Sequence, residues 1–384
     1  MPLGFLRMLA TSVLVVVFAG AALAQSPYGG RAPNFYVLDV GTGQVLAEQN
    51  ADIPLPPASM SKLMTLAMLF DALRDNRVQM DTTWSISQRA HEMGGSSMFL
   101  ETRHRPTTED LIRGIAIVSG NDAAVAVAEG LAGSEEAFAI MAQRRAEELG
   151  MTETSIANAS GWPHPHHRMS LHDLGTLARY LVQEHAQYYH YLGETSYSWN
   201  EITQPNRVPL LGAGIGIDGL KTGHTEEAGY SLVGSARQGS RRVIFVFSGL
   251  NSPNERAEEA ERIVNWAFRQ FAEQQVVDAG AVVAMADVWM GAADLVPLVA
   301  VQDVNVLVPI IGAETLSARA EFSGPVAAPI IEGQELGRLV IEVDGLSPIT
   351  APLVAGQAVA QGGFVPRIRT AALVLGQQLG LIAP

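Results

Sequence analysis

Residues 57–65 read Pro57-Ala-Ser-Met-Ser-Lys-Leu-Met-Thr65 and begin a helical pattern. Apolar side chains follow at three- and four-residue spacing (Leu63, Ala67, Phe70), which predicts a helix with a buried face. Ser59 precedes Lys62 by three positions, so a helix that begins at Ser59 would place both side chains on one face. Because a serine hydroxyl is a weak nucleophile without a base, this pair predicts a serine activated by a lysine amine.

Lysine use supports this interpretation. Of the 25 lysine and arginine residues, only Lys62 and Lys221 are lysine. A guanidinium effectively never deprotonates, whereas a buried amine can lose its proton and act as a base. Ser59 considered alone would fit an ordinary helix N-cap. An arginine-biased chain that keeps lysine three residues after this serine indicates instead that Lys62 is a proton acceptor.

Two more short motifs follow along the chain. Lys221-Thr-Gly223 leads into a predicted strand, where Gly223 would let a ligand approach the backbone closely. Lys221 and Thr222 offer a charge and a hydroxyl to a carboxylate, although a β-turn with a surface lysine would also fit. Ser119-Gly-Asn121 lies between two helical patterns. It is a candidate for proton relay and substrate anchoring, or it simply ends one helix and caps the next.

The pattern of elements predicts the fold class. A predicted hairpin opens the region, with strands at 35–40 and 43–47, and two further strands lie at 230–236 and 242–247. Helical patterns cover 109–118, 122–131, 135–149, 170–184 and 255–273. Strands at both ends with helices between them predict an α+β domain over residues 28–273, in which an antiparallel sheet packs against helices.

The composition changes after this region. Residues 276–361 contain short runs of Val, Ala and Ile broken by Gly, Pro and Asp, which predicts a separate small all-β sandwich domain. Residues 363–384 form a weakly amphipathic pattern and predict a tail helix. This helix would either contact a membrane surface or serve as a packing element.

The N-terminus predicts export. Residues 1–24 hold a single charge, Arg7, then an apolar run from Leu9 to Phe18, and end with Ala22-Leu-Ala24. This arrangement is typical of a secretory signal peptide, and the apolar run is shorter than the roughly 20 residues that a spanning helix needs. An uncleaved anchor is the alternative. We therefore expect an exported, periplasmic protein.

Composition excludes several classes of function. The 384 residues carry a net charge of -14 and contain no cysteine, so disulfide frameworks, thiol catalysis and cysteine-ligated zinc are excluded. An acidic chain without a basic stripe is not expected to bind nucleic acid. Four histidines between 164 and 172 suggest a metal, but they lack a zinc motif and nearby carboxylates, so we expect a solvated loop and no metal.

The three motifs, in this order, are the signature of penicillin-recognising serine enzymes, with Gly120 in place of the usual central aspartate. The chain resembles the D-alanyl-D-alanine carboxypeptidases, the low-molecular-mass penicillin-binding proteins, over about residues 33–365. Besides the nucleophile segment, the likeness includes residues 95–100 (Gly-Ser-Ser-Met-Phe-Leu), 117–124 (Ile-Val-Ser-Gly-Asn-Asp-Ala-Ala) and 219–231.

The resemblance implies a role for each site residue. Ser59 would be acylated by a peptide that ends in D-Ala-D-Ala, with Lys62 as the base. Ser119 would relay a proton to the leaving amine and Asn121 would hold the substrate amide. The remaining implied residues all face the substrate: Lys221, Thr222 and Gly223 at the terminal carboxylate, the backbone N–H groups of Ser59 and His224 at the oxyanion, and Arg207 and Arg256 near the carboxylate.

The implied partners are peptidoglycan stem peptides and β-lactam antibiotics, and no cofactor is implied. The expected activity is removal of the terminal D-alanine during peptidoglycan maturation and the upkeep of cell shape. A serine β-lactamase with the same acyl chemistry is the nearest alternative, although no E-x-x-x-N segment follows Ser119. A catalytically silent cell-wall scaffold on the same fold is another, but a scaffold would not need a deprotonatable lysine.

Overall fold

A computed structural model describes residues 28–310 and 316–363. The predicted signal peptide lies outside these residues, as does the predicted tail helix apart from Gly363. The helices are α1 (Lys62–Arg74), α2 (Gln88–His91), α3 (Thr108–Ala116), α4 (Asn121–Ala132), α5 (Glu135–Glu148), α6 (Leu171–Glu184) and α7 (Pro253–Arg269), with 3₁₀ helices at Ala58–Ser61 and Tyr189–Gly193.

The strands follow the same chain order. They are β1 (Asn34–Asp39), β2 (Val45–Gln49), β3 (Ser196–Trp199), β4 (Ile202–Pro205), β5 (Ile217–Thr225), β6 (Gly229–Gln238), β7 (Arg241–Leu250), β8 (Phe271–Val277), β9 (Val282–Trp289), β10 (Leu295–Ala300), β11 (Val304–Pro309), β12 (Leu316–Phe322), β13 (Val326–Ala327), β14 (Glu335–Val343) and β15 (Ile349–Ala355).

The first part of the chain is built on a five-stranded antiparallel sheet with the order β2-β1-β7-β6-β5. Its central strands are apolar on both faces, because helices cover both sides. On β7, Phe245 and Phe247 face α7, whereas Ile244 and Val246 face the larger helical layer. Strand β5 is at the edge of the sheet, so one row of its backbone groups remains free to pair with an added strand.

Helix α1 is the centre of the larger layer. Every residue from Lys62 to Leu73 is buried, because the sheet and helices α3, α4, α5 and α6 surround it. A helix that is buried on all sides is typical of such a central position. The N-terminus of α1 points toward the free edge of β5, since the 3₁₀ helix Ala58–Ser61 that precedes it contacts that strand.

The second part is an all-β domain, as predicted. A six-stranded sheet with the order β12-β14-β15-β10-β9-β13 and a two-stranded sheet of β11 and β8 share one apolar core. The two parts meet at Gln44, which is buried. Its Nε2 donates to the Leu307 carbonyl oxygen at 3.1 Å, and its Oε1 accepts from the Leu307 N–H at 2.5 Å. A single side chain thus satisfies both backbone groups on the outer edge of β11.

The structure corrects two local predictions. The helix predicted over 255–273 ends at Arg269, because Phe271–Val277 pairs as strand β8 with β11, about thirty residues downstream. Local periodicity carries no signal of such a distant partner. In addition, Ser59 does not begin α1 but lies within the preceding 3₁₀ helix, which continues directly into α1.

Within the described residues, we find no helix with the length and apolar character needed to cross a bilayer.

The Gln44 contact makes a prediction for stability. Replacement of Gln44 by alanine leaves the buried N–H and carbonyl of Leu307 without partners, so we expect the free energy of unfolding to fall by about 1–3 kcal/mol. Urea denaturation of the purified protein measures this. Gln49→Ala is the matched control, because its side chain is exposed and donates only to the Pro33 carbonyl. Equal stability of the two variants would contradict the role assigned to Gln44.

Candidate active site

The predicted nucleophile lies in a cleft of about 570 Å³ between the 3₁₀ helix and the end of β5. The lining comes from five parts of the chain: residues 56–59, 95–96, Asn121, 160–164 with 167–168, and 224–227. Ser59 is partly exposed at the floor, whereas the residues on either side of it, Ala58 and Met60, are buried. The hydroxyl is therefore accessible to a ligand on a turn that is itself fixed.

Two glycines allow the turn around Ser59 to pack tightly. A Cβ at Gly161 would lie 1.8 Å from the Ala58 carbonyl oxygen, and Gly161 also has a positive φ of 77°. A Cβ at Gly223 would lie 3.0 Å from Met60 Cγ and 3.1 Å from the Pro57 carbonyl oxygen. Side chains at these positions would push the nucleophile turn away from the loop or from β5. The glycine of the third motif thus brings the edge strand against the nucleophile.

Lys62 makes three contacts through its amine. Nζ lies 3.1 Å from Ser59 Oγ, 2.6 Å from Asn121 Oδ1 and 2.5 Å from the Ser160 carbonyl oxygen. The side chain is fully buried. Asn121 Oδ1 and the Ser160 carbonyl can only accept hydrogen bonds, provided the Asn121 amide is oriented as its second contact requires. A neutral amine would give them its two protons and direct its lone pair to the Ser59 hydroxyl.

Burial favours that neutral amine. Removal from water, together with the positive charge of Arg207, lowers the pKa of Lys62 to about 7 against the opposing effect of the negative charges of Asp122 and Glu135. At neutral pH a substantial fraction of the amine is therefore unprotonated. A lysine that contacts a serine hydroxyl in this state is suited to act as a general base.

Asn121 is held in place from two sides. It is the first residue of α4, and its Nδ2 donates to the Gly94 carbonyl oxygen at 2.7 Å while Oδ1 accepts from Lys62. Its backbone N–H donates to the Ser96 carbonyl oxygen at 2.7 Å. These contacts fix the amide orientation and join the second motif to the first.

Ser119 is less closely connected. It is buried, and its backbone adopts a positive φ of 63°. Among the described residues no hydrogen bond joins Ser119 to Ser59 or Lys62, and Ser119 is not among the residues that line the cleft. The structure therefore links Asn121, and not Ser119, directly to the predicted nucleophile and base.

The next residue, Asp122, organises the wall beside Asn121. Its fully buried carboxylate accepts from Ser97 Oγ at 2.6 Å and from the N–H groups of Met98 at 3.1 Å and Leu100 at 3.0 Å. The segment that precedes α3 is thus tied to the start of α4. Asp122 also places a negative charge near Lys62, where it raises the pKa of the amine.

The third motif contributes a group of positive charges. Lys221 is buried, and Nζ lies 3.5 Å from the Thr222 carbonyl oxygen. Burial holds the pKa of Lys221 well below its usual range, and the nearby charges of Lys62, Arg207 and Arg256 lower it further. None of these four basic side chains takes part in the ion pairs found among the described residues. An anionic ligand would therefore find several basic groups without carboxylate partners.

The two arginines are positioned by different contacts. Arg207 Nη1 donates to Ser96 Oγ at 2.5 Å, which ties it to the cleft wall. The Arg256 guanidinium lies over the Tyr230 ring at 5.6 Å, and its buried Nε has no partner in the structure. Both arginines act on the pKa of Lys221, so the structure brings them to the neighbourhood of the third motif.

Sequence reasoning missed several groups. The Ser160 carbonyl has no sequence signal, because any residue carries one. Asp122 was visible as the residue after Asn121, but nothing in the sequence indicated its contacts. The turn Thr225–Glu227 lines the cleft beside the loop Trp162–Arg168, and only the folded chain brings this turn to the loop. Within residues 28–310 and 316–363, no group of three or more histidine or acidic side chains is arranged to hold a metal ion.

Comparison with known proteins identifies the family of both parts of the chain. The family model for D-alanyl-D-alanine carboxypeptidase matches residues 22–252, and that for the C-terminal domain of penicillin-binding protein 5 matches residues 271–361. D-alanyl-D-alanine carboxypeptidase DacF of Bacillus subtilis is 32% identical over 376 residues, which cover 94% of this chain and 96% of the relative. DacC of Escherichia coli is 33% identical over 372 residues, covering 94% and 93%.

Solved structures show the same relationship. Penicillin-binding protein 5 from Haemophilus influenzae matches with a TM-score of 0.78 at 30% identity, over 87% of this chain and 99% of that one. Penicillin-binding protein D2 from Listeria monocytogenes, in an ampicillin-bound form, matches with a TM-score of 0.57 at 29% identity, over 62% and 98%. These findings confirm the predicted fold class and activity and favour them over the β-lactamase alternative. The chain belongs to the D-alanyl-D-alanine carboxypeptidase family of penicillin-binding serine peptidases.

Proposed function

We propose that this D-alanyl-D-alanine carboxypeptidase works through an acyl-enzyme on Ser59, with Lys62 as the base. The observation that carries the proposal is the contact between Lys62 Nζ and Ser59 Oγ at 3.1 Å, made by a fully buried amine. The lowered pKa of Lys62 allows it to accept a proton near neutral pH. A lysine fixed in this way by Asn121 and the Ser160 carbonyl needs no further partner to hold its lone pair toward the serine.

Acylation follows from this arrangement. Lys62 takes the hydroxyl proton while Ser59 Oγ attacks the carbonyl carbon of the penultimate D-alanine. The peptide C–N bond then breaks, and the leaving amine receives a proton as free D-alanine departs. We propose that Ser119 relays this proton once substrate is bound. Water, activated by the same lysine, then adds to the ester and releases the shortened peptide.

Backbone groups stabilise the developing oxyanion in this proposal. The N–H groups of Ser59 and His224 are the proposed donors, and both residues line the cleft. Ser59 also lies in the turn that leads into α1, where free N–H groups and the positive end of the helix dipole favour negative charge. Donors that are fixed before the reaction make this contribution large.

The terminal carboxylate is proposed to bind the cations of the third motif. Lys221 and Thr222 would contact it directly, with Arg207 and Arg256 adding positive charge, and Gly223 would leave room for the substrate backbone along the free edge of β5. The support is electrostatic. A carboxylate would raise the lowered pKa of Lys221 and stabilise its charged form, so that binding and protonation reinforce each other.

The cellular setting is also a proposal. The family acts on the cell wall, which implies a location outside the cytoplasm. We propose that residues 1–24 are removed as a signal peptide on export to the periplasm, and that residues 28–273 form the catalytic domain and 276–361 the β-domain. Contact of the tail, 363–384, with the cytoplasmic membrane remains a prediction from the sequence. β-Lactams would acylate Ser59 through the same steps as the peptide.

Substitution of the reacting residues tests the mechanism. Ser59→Ala is expected to abolish covalent labelling by a fluorescent penicillin and to lower D-alanine release from a defined pentapeptide by at least about a thousandfold. Lys62→Arg keeps the positive charge but cannot accept the proton, so we expect a loss of about 10²–10⁴-fold. Ser317→Ala, at an exposed position in the β-domain, is the control. Full activity of Lys62→Arg would show that this residue is only a cation.

The pH dependence of acylation tests the same base independently. With a pKa of about 7, the neutral fraction of the Lys62 amine rises about tenfold between pH 6 and pH 8. The second-order rate of penicillin acylation is expected to rise with it and to level off above pH 8. Stopped-flow labelling across this range measures the profile. A rate that is flat, or that falls as the pH rises, would exclude the neutral amine as the base.

A further inference from the structure

The loop that carries the Ser160 carbonyl is held by a buried carboxylate that the catalytic steps do not use. Glu135 is the first residue of α5 and is only 4% exposed. Its Oε1 accepts from the Ala159 N–H at 3.1 Å, and its Oε2 contacts the guanidinium of Arg89 on α2. Glu135 is not among the residues that line the cleft. A buried carboxylate needs such partners, and one of the two is the segment beside the proposed base.

Ala159 connects this carboxylate to Lys62. The Ala159 carbonyl oxygen accepts from Thr65 Oγ1 at 2.7 Å, and the next carbonyl, that of Ser160, accepts from Lys62 Nζ at 2.5 Å. Thr65 follows Lys62 by three residues on α1, so the two side chains lie on one face of the helix. Two successive carbonyl groups therefore contact α1, while Glu135 holds the N–H group of the first of these residues from α5.

Asn158 fixes the shape of the loop from within. Its Oδ1 accepts from the N–H groups of Ser160 at 3.2 Å, Gly161 at 2.7 Å and Trp162 at 3.0 Å, and its Nδ2 donates to the Trp162 carbonyl oxygen at 2.9 Å. An asparagine that bonds to the backbone just after it is typical of a tight turn. The position of this turn relative to the buried amine therefore depends on neighbouring elements, and Glu135 supplies the contact from α5.

Glu135 also acts on Lys62 through its charge, which is an observation independent of these hydrogen bonds. Burial and the positive charge of Arg207 lower the pKa of the amine, whereas the negative charges of Asp122 and Glu135 raise it. Loss of the Glu135 charge therefore lowers the pKa of the amine further. Other titratable groups near the two residues are Lys221 and His167 around Lys62, Arg89 beside Glu135, and Glu129 and Glu136 around Arg89.

We propose that Glu135 is a positioning residue for the general base: its carboxylate holds the Ala159–Ser160 segment where the Ser160 carbonyl accepts a hydrogen bond from Lys62. With that carbonyl in place, the neutral amine has a fixed acceptor and directs its lone pair at the Ser59 hydroxyl. Glu135 lies outside the cleft lining, so it acts through Lys62. The inference rests on the proposed function, because that function assigns the proton transfer to Lys62.

Glu135→Gln tests the charge while it keeps an acceptor for the Ala159 N–H. Arg89 is 55% exposed, so its side chain can turn into solvent once the carboxylate is gone. Because the pKa of Lys62 falls, the amine is neutral at lower pH, and we expect the midpoint of the acylation profile to fall by about 0.5 pH unit. The limiting rate at high pH is expected to stay within about threefold of wild type. Stopped-flow labelling with a fluorescent penicillin across about pH 5.5–9 measures both quantities.

Glu135→Ala tests the position as well. Without an acceptor, the Ala159 N–H no longer anchors the loop to α5, and the Ser160 carbonyl is no longer held against the amine. We expect the limiting acylation rate at high pH to fall by about tenfold or more, in addition to the shift of the midpoint. The dissociation constant of penicillin before acylation is expected to stay within about twofold, because Glu135 does not line the cleft. Rates at a series of penicillin concentrations separate these two quantities.

Glu259 provides the matched control. It is a buried glutamate on α7, which packs on the face of the sheet opposite to α1, and its carboxylate accepts from the N–H groups of Arg31 at 3.0 Å and Ala32 at 3.2 Å. Glu259→Gln and Glu259→Ala are expected to lower the free energy of unfolding but to keep the wild-type midpoint and limiting rate of the folded protein.

An unchanged midpoint in Glu135→Gln, or a wild-type limiting rate in Glu135→Ala, would overturn the proposal. Equal effects of the Glu135 and Glu259 substitutions would also overturn it, because they would show only a loss of stability. If Glu135→Ala does not fold, Glu135→Gln decides the question, since it keeps the acceptor. A flat profile in the wild-type protein is the separate result that rejects Lys62 as the base, and with it both the proposed function and this inference.

Discussion

The buried amine of Lys62 is the constraint on which the site depends. An amine that has lost its water must be neutral, or its charge must be compensated, and here two carbonyl oxygens and one hydroxyl surround it. The unfolded chain binds the proton more tightly than the folded one, so this group destabilises the folded protein at neutral pH. This loss of folding stability decreases as the pH rises toward the ordinary pKa of lysine. The remainder of the helical layer must offset it, and α1 is accordingly buried on every side.

The edge of the sheet provides the second constraint. Strand β5 pairs with β6 on one side only, and its other side contacts the turn that carries Ser59. Glycine at 223 brings the strand within contact of that turn, and glycine at 161 does the same for the opposite loop. In the proposed mechanism, the substrate therefore extends the sheet while its carbonyl lies over Ser59. This geometry depends on the absence of two side chains as much as on the presence of the reactive ones.

The distribution of charged side chains near the site differs from the net charge of the whole chain. The chain as a whole has a net charge of -14, yet the basic side chains around the third motif have no carboxylate partners in the ion pairs among the described residues. Acidic side chains line the cleft on the turn after β5, where Glu227 pairs with Arg168. In the proposed mechanism, this distribution of charge orients a ligand with a terminal carboxylate before any reaction begins.

The sequence by itself determined the class of fold and predicted the reactive residues of the site. Ser59 and Lys62 are three residues apart, so local helical geometry was enough to bring them together, and the restriction of lysine to two positions indicated their roles. Periodicity likewise predicted most helices and the hairpin, although not the end of α7, where a partner strand about thirty residues away takes over. Only the tertiary structure decided which groups gather near Ser59 and Lys62: the Ser160 carbonyl, the basic side chains of the third motif and the two arginines, and the Arg168–Glu227 ion pair beside the cleft. Those contacts join residues far apart in the chain, and local patterns cannot encode them because each depends on how separate elements pack.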